Sequence, residues 1–335
     1  MTLPPLRLLR CPVCAGPFSS GCDPAFACDR CGRRYPVRGG IVDFLFRPVP
    51  VVDEERQGNR VVAQEVRADA DEGWLLGLPE TFVRYLPEQD GHDVRADFES
   101  LLACARLPAG VQVLDLGAGC CWTSRLLAGR GYRVIAQDIS EEKYVGLASG
   151  QTYLDAGTPH FDRMLFDMSS PWPIADASLD AVVGFCSIHH AHDLPVVFAE
   201  AHRALRPGGA FAFVEASSAC LPLFESASFG ERERREFHAN EHKHGWRRYR
   251  AIARRAGFAF QLRPAGSFLE KLERVARGSL GAAQMASLKH RLAWRARPVL
   301  RSPVVQGLLC ARLFPAVSLL VGAQFVGICR KEEGG

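Results

Sequence analysis

Val111-Gln112-Val113-Leu114-Asp115-Leu116-Gly117-Ala118-Gly119-Cys120-Cys121-Trp122 decides the fold class of this 335-residue chain. Residues 111–116 are apolar except for Gln112 and Asp115, and read as a buried strand. Glycines 117 and 119 make a loop, and residues 122–128 open a helix. The pattern then repeats. Arg133-Val134-Ile135-Ala136-Gln137-Asp138 is a second strand ending in an acid, 161–167 a third and 179–187 a fourth. A helix over 193–205, the turn Arg206-Pro207-Gly208-Gly209 and a fifth strand over 210–215 follow. Strands alternating with helices specify an α/β protein with a doubly wound, mostly parallel sheet.

Two ligand classes use this plan. The dinucleotide fingerprint G-x-G-x-x-G fails here, because Trp122 stands where its last glycine belongs. An acid at the strand end followed by G-x-G fits Asp115-Leu116-Gly117-Ala118-Gly119. An acid there can meet a cationic α-amino group, which a pyrophosphate would not tolerate. Asp138, at the end of the second strand, is placed to accept from two ribose hydroxyls. Asp115, Asp138 and Asp167 all fall at the carboxyl edge of the sheet, where ligands of such sheets bind.

VLDLGAGCCWTSRLLA, VIAQDIS, FDMSSPWPIADASLDAVVGFCSIHH and ALRPGGAFAFVE resemble, in order and over about 110 residues, the class I S-adenosylmethionine-dependent methyltransferases of the type 11 kind. The resemblance implies a Rossmann-like sheet of seven strands. It implies Asp115 and Gly117 near the methionine moiety, Asp138 at the ribose, and Asp167 with Met168 at the adenine, with Ala118, Gly119 and Ile139 also among the cofactor-binding residues. One departure is Cys121, where the family often has a third glycine. The thiol is small enough to leave binding intact, with the loop shifted.

Cys11-Pro12-Val13-Cys14 and Cys28-Asp29-Arg30-Cys31 form two C-x-x-C pairs. Four thiolates from two tight knuckles suit tetrahedral Zn²⁺, so Cys11, Cys14, Cys28 and Cys31 are the expected ligands of one structural zinc. Gly16 and Gly32 follow the pairs and are expected to turn the chain with positive φ. Cys22 has no such partner. The tail Tyr35-Pro36-Val37 and Gly40-Ile41-Val42-Asp43-Phe44-Leu45 resembles the zinc-ribbon family typified by the small activator subunit of tRNA methyltransferases. Such ribbons bind RNA, bind a protein or cap a domain.

The expected organisation is a zinc ribbon over 1–46, an acidic helical linker over 47–105, and the methyltransferase domain over 106–335 with a basic helical insertion at about 267–312. Charge supports the division. Residues 51–100 carry 13 acidic and 5 basic groups, whereas 221–335 carry 21 basic and 9 acidic groups and no Asp. The linker is therefore expected to wrap the next domain or to pack on the basic third, which could itself face RNA, anionic lipid or protein. Residues 316–329 read as a long closing strand, antiparallel and at the sheet edge by the resemblance. The uncharged stretch 313–329 sits at the lower limit for a bilayer span, so no stable membrane span is expected. Free cysteines and the lack of a signal peptide point to the cytoplasm.

Methyl transfer needs a general base only when the acceptor atom carries a proton, which constrains the catalytic residues weakly. His189, His190 and His192 follow the fourth strand. Glu241 and His242, in the segment after the fifth strand, are the expected substrate contacts. The function expected is S-adenosylmethionine-dependent methyl transfer to a small-molecule or biosynthetic intermediate. An rRNA or tRNA base methyltransferase gripping RNA through the ribbon is the alternative. Against it stand the acidic linker and Phe185-Cys186-Ser187-Ile188-His189-His190, which replaces an N-P-P-Y-type base-binding motif. A non-catalytic zinc-containing interaction module is opposed by the intact Asp115, loop and Asp138.

Overall fold

The computed structural model describes residues 3–18, 20–22, 25–84, 91–217, 240, 242, 244–278, 288–321 and 323–333. Its centre is a sheet built from β5 (Gln112–Leu116), β6 (Arg133–Asp138), β7 (Asp162–Leu165), β8 (Leu179–Phe185), β9 (Leu205–Ala216), β10 (Phe258–Pro264) and β11 (Gln324–Lys331). These seven run in the order β7-β6-β5-β8-β9-β11-β10. The first five are parallel, and β11 pairs antiparallel with both β9 and β10. All five residues of β5 are buried, as expected of a strand covered on both faces.

The sheet is wider than the seven strands expected. β1 (Ser20–Cys22), β2 (Ala25–Ala27), β3 (Arg34–Arg38) and β4 (Ile41–Asp43) belong to the cysteine-bearing N-terminus, and they extend it to eleven. β4 pairs parallel with β7 through Ile41↔Arg163, Val42↔Met164 and Asp43↔Leu165. The outer strand of the parallel sheet would otherwise offer a row of unpaired N–H and C=O groups. Sequence patterning gives no sign of this junction, because both partners are short and each completes its own unit. The Phe18 ring meets those of Phe26, Tyr35 and Phe44 edge-on, Tyr35 and Phe44 pack tilted at 4.9 Å, and the four share one apolar cluster with Met164, Phe166, Trp172 and Ile174.

The C-terminus also departs from expectation. The stretch expected as one strand over 316–329 is a helix, Phe314–Val321, and then β11. Among its described side chains Phe314 and Ser318 are buried, four residues apart, which is a helical period and not an alternating one. β11 lies inside the sheet, and β10 forms the edge.

The acidic segment is less a linker than a strap. Its helix Pro50–Val61 borders the cavity at the carboxyl edge of the sheet, and its helix Gly91–Ala105 packs on β9 and β11 with Asp93, Val94 and Asp97 reaching the same cavity. Asp93 pairs with Lys271, 3.1 Å away, and with Arg274, both on the helix Gly266–Arg277. The negative strap thus packs on the basic third.

Candidate functional site

The carboxyl ends of β5, β6 and β8 open on a cavity of about 410 Å³, within the usual range for small-molecule sites. Gly117, Ala118, Gly119, Asp138, Ile139, Asp167 and Met168 all line it, so seven of the expected contacts meet in one place. Gly117 has φ +70°, and a Cβ there would lie 2.4 Å from the Ser187 Cβ. Only glycine lets the first loop pass beneath the loop that follows β8. The Ser187 hydroxyl locks the two together by donating to the Leu116 carbonyl at 2.6 Å.

Asp138 organises the neighbouring loop. One of its oxygens accepts from the Gly119 N–H at 2.8 Å, and the other from Ile139 and Ser140 at 2.8 and 2.9 Å. Burial pushes its carboxyl up to about 6 in spite of these donors, and Glu55 nearby pushes the same way. Asp167 accepts from the Ser169 N–H at 2.9 Å and the Ser170 hydroxyl at 2.6 Å, with His192 Nε2 at 3.0 Å.

Asp115 stands apart. Its carboxyl is buried under the helix Trp122–Gly129, accepts from the Thr123 and Ser124 hydroxyls, and does not line the cavity. Thr123, its partner, does. Cys121, at the position of the missing glycine, takes the left-handed backbone a glycine would take, with φ +63°. A side chain at this φ carries backbone strain that a glycine would not.

His242 is exposed and does not line the cavity. Its N–H donates to the His189 carbonyl at 3.0 Å, and its Nε2 lies 3.0 Å from Asn240 Oδ1. Glu241 falls outside the described residues. It is Asn240 that reaches the cavity, where its amide donates to the His190 carbonyl at 2.6 Å. His189 supports the loop, 2.7 Å from buried Glu215, which also accepts from the Ser187 and Ile188 N–H groups. His190 faces the cavity and pairs with Glu55 at 2.6 Å.

Sequence reasoning missed most of the remaining wall. Val51, Val52, Glu55 and Asn59 from the strap close one side. Phe82, Trp122 and Phe185 also line the cavity, their rings edge-on at 5.9 and 5.1 Å, as do Asp97, Lys271 and Gln324. Asp97 is buried and accepts from the Ser267 N–H, and burial pushes its carboxyl up to about 6. The only signal for these residues was the charge contrast between strap and basic third.

The four sulfurs of Cys11, Cys14, Cys28 and Cys31 lie within 4.8 Å of one another. The Cys11–Cys31 and Cys14–Cys28 separations are 3.7 and 3.5 Å. A tetrahedral centre with bonds of about 2.3 Å sets sulfurs about 3.8 Å apart, so the donor set fits zinc. The Tyr35 hydroxyl lies 3.0 Å from the Cys11 sulfur. Gly32 has φ +69° as expected, but in the first knuckle Ala15 takes the left-handed position with φ +56°. Gly16 serves another purpose, since a Cβ there would sit 3.1 and 3.2 Å from two of the sulfurs.

Residues 114–213 match the family model described as a methyltransferase domain. A ubiquinone/menaquinone biosynthesis C-methyltransferase of Rubrivivax gelatinosus is 32% identical over 111 residues, 33% of this chain and 41% of that protein. A malonyl-[acyl-carrier protein] O-methyltransferase of Pectobacterium atrosepticum is 32% identical over 133 residues, 40% of this chain and 49% of that protein. The chain thus spans less than half the length of these curated relatives. A Haemonchus contortus phosphoethanolamine N-methyltransferase 2, solved with S-adenosyl-L-methionine, superimposes with a TM-score of 0.51 at 14% identity. It covers 90% of this chain and 62% of that one, and shares the fold.

Proposed function

We propose that this chain, a methyltransferase-domain protein over residues 114–213, transfers the methyl group of S-adenosylmethionine to a small-molecule acceptor. The observation that carries the reading is one cavity that gathers two sets of residues. One set is the glycine loop, Asp138 and Asp167; the other, the acceptor end in this reading, is Phe82, Trp122 and Phe185 with the polar groups Asp97, Lys271 and Gln324. In this reading the backbone at Gly117–Gly119 holds the methionine moiety, Asp138 accepts from the ribose hydroxyls, and Asp167 with Met168 borders the adenine. The sulfonium supplies an activated methyl group, so the protein's task is to align acceptor and donor and to exclude water. When the acceptor atom carries a proton, Asp97, at the acceptor end and near 6, is suited to take it. The cysteine knuckles hold one structural zinc.

A small acceptor is favoured over RNA because the acidic strap supplies part of the cavity wall through Val51, Glu55 and Asn59, and Phe82, Trp122 and Phe185 line the same space. The test is transfer of labelled methyl from the cofactor into fractionated extract, with RNA, lipid and small-molecule pools counted separately. Label in the small-molecule or lipid pool is expected. Label confined to RNA would overturn the choice of acceptor, and failure to bind S-adenosylhomocysteine would overturn the reading itself.

A further inference from the structure

The helices between β10 and β11 turn their apolar side the wrong way. From Pro303 the chain is helical to Val321. Its exposed positions include Val304, Gly307, Leu308, Ala311, Arg312 and Leu313, and Arg312 is the one polar residue among the exposed described positions. Val304 is 71% exposed and Leu313 54%. Val299, on the preceding helix Arg297–Leu300, is 60% exposed. Most of the exposed large aliphatic side chains among the described residues lie in this region. A face of this kind marks a surface that something else covers.

Charge identifies what covers it. No Asp or Glu occurs between Glu273 and Glu332, while ten Lys or Arg do. Arg291 and Arg295 are exposed on the helix Leu288–Arg295, and Arg312 lies within the stripe. The Arg297 guanidinium stacks on Trp294 at 4.6 Å, an aromatic–cation pair suited to a boundary between water and apolar matter. A second copy of the chain would set cations against cations. RNA phosphates would satisfy the arginines and leave the aliphatic row without a partner. An anionic bilayer offers both headgroup charge and acyl chains to one surface.

We propose that this face, residues 291–316, docks the protein on anionic lipid bilayers as a peripheral, non-spanning attachment. Among the described residues no helix is long and apolar enough to cross a membrane. The face rests on the rest of the domain through Arg301, whose Nε donates to the Ala276 carbonyl at 3.0 Å. Ala276 belongs to the same helix that carries Lys271 into the cavity, so a docked protein would hold its acceptor end near the lipid.

The test is co-sedimentation of the full chain with vesicles of phosphatidylcholine alone, or of phosphatidylcholine with phosphatidylglycerol. Binding to the anionic vesicles only, weakening as salt is raised, is expected. The exposed pair Val304→Asp with Leu308→Asp should abolish it without changing the thermal unfolding temperature. Arg291→Ser with Arg295→Ser should lower the partition coefficient roughly 30-fold, about fivefold per cation. Three results would overturn the proposal: no binding of folded protein to anionic vesicles, self-association lost in the Val304/Leu308 variant, or salt-sensitive RNA binding that the aspartates leave untouched. None depends on methyl transfer, so this proposal and the assigned activity fail separately.

Discussion

The Phe44 N–H donates to the Leu165 carbonyl at 2.8 Å, two residues before Asp167. The cysteine ribbon is thereby joined to the wall of the cavity. Beyond that bond, Phe166 packs on Trp172, whose indole N–H donates to the Met168 carbonyl at 2.9 Å.

Loss of zinc should therefore be felt at the cofactor site. On separate domains Cys14→Ser would spare cofactor binding, but here β4 and β7 are one ladder. Chelation, or Cys14→Ser, is expected to lower Tm by more than about 5 °C and to weaken S-adenosylhomocysteine severalfold in calorimetry. A zinc-free protein with wild-type Tm and affinity would sink both the zinc assignment and the coupling.

Gly117→Ala tests the crossing of the two loops. Its φ of +70° and the 2.4 Å approach to Ser187 leave no room for a methyl group. The variant should lose about 2 kcal/mol or more of stability and bind S-adenosylhomocysteine too weakly to measure. Gly110→Ala, also at positive φ but with open space around it, should cost only the backbone strain and leave binding intact.

Cys121 separates strain from burial. A left-handed backbone costs a non-glycine residue about 1–2 kcal/mol, and burial of the thiol recovers a similar amount. Cys121→Gly should thus be near neutral in denaturant unfolding. Cys121→Val should be clearly destabilising, because branching at Cβ makes that backbone worse. Equal stability of the two variants would show that φ is not what matters there.

Asp138 predicts opposite pH effects on folding and on ligand binding. Its carboxyl is raised from 3.8 to about 6, so the folded state holds the proton more tightly than the unfolded chain. This group's contribution to apo stability is fullest below about 4 and is lost as pH rises through 6. Ribose hydroxyls bind the ionised form best, so affinity for S-adenosylhomocysteine should fall as pH drops through 6. Asp138→Asn should flatten that fall and weaken binding about tenfold. Calorimetry from pH 5 to 8 measures it. An unchanged profile in the variant would place the ribose elsewhere.

The sequence alone determined what is local. A hydrophobic run, two glycines and an acid at fixed spacing define β5, its loop and the end of β6, because strand periodicity and glycine's backbone freedom act over a few residues. Paired C-x-x-C knuckles do the same for the four sulfurs. Only the tertiary structure decided which distant groups share the cavity. The strap's Glu55 meets His190, and Asp97 and Lys271 line the same cavity, although about 135 and 174 positions separate the members of the first and second pairs in the chain. It also turned residues 316–321 into a helix and zipped the ribbon onto β7. Such outcomes rest on long-range packing and on pairing of open strand edges, where many sequences satisfy one geometry and no local pattern records the choice.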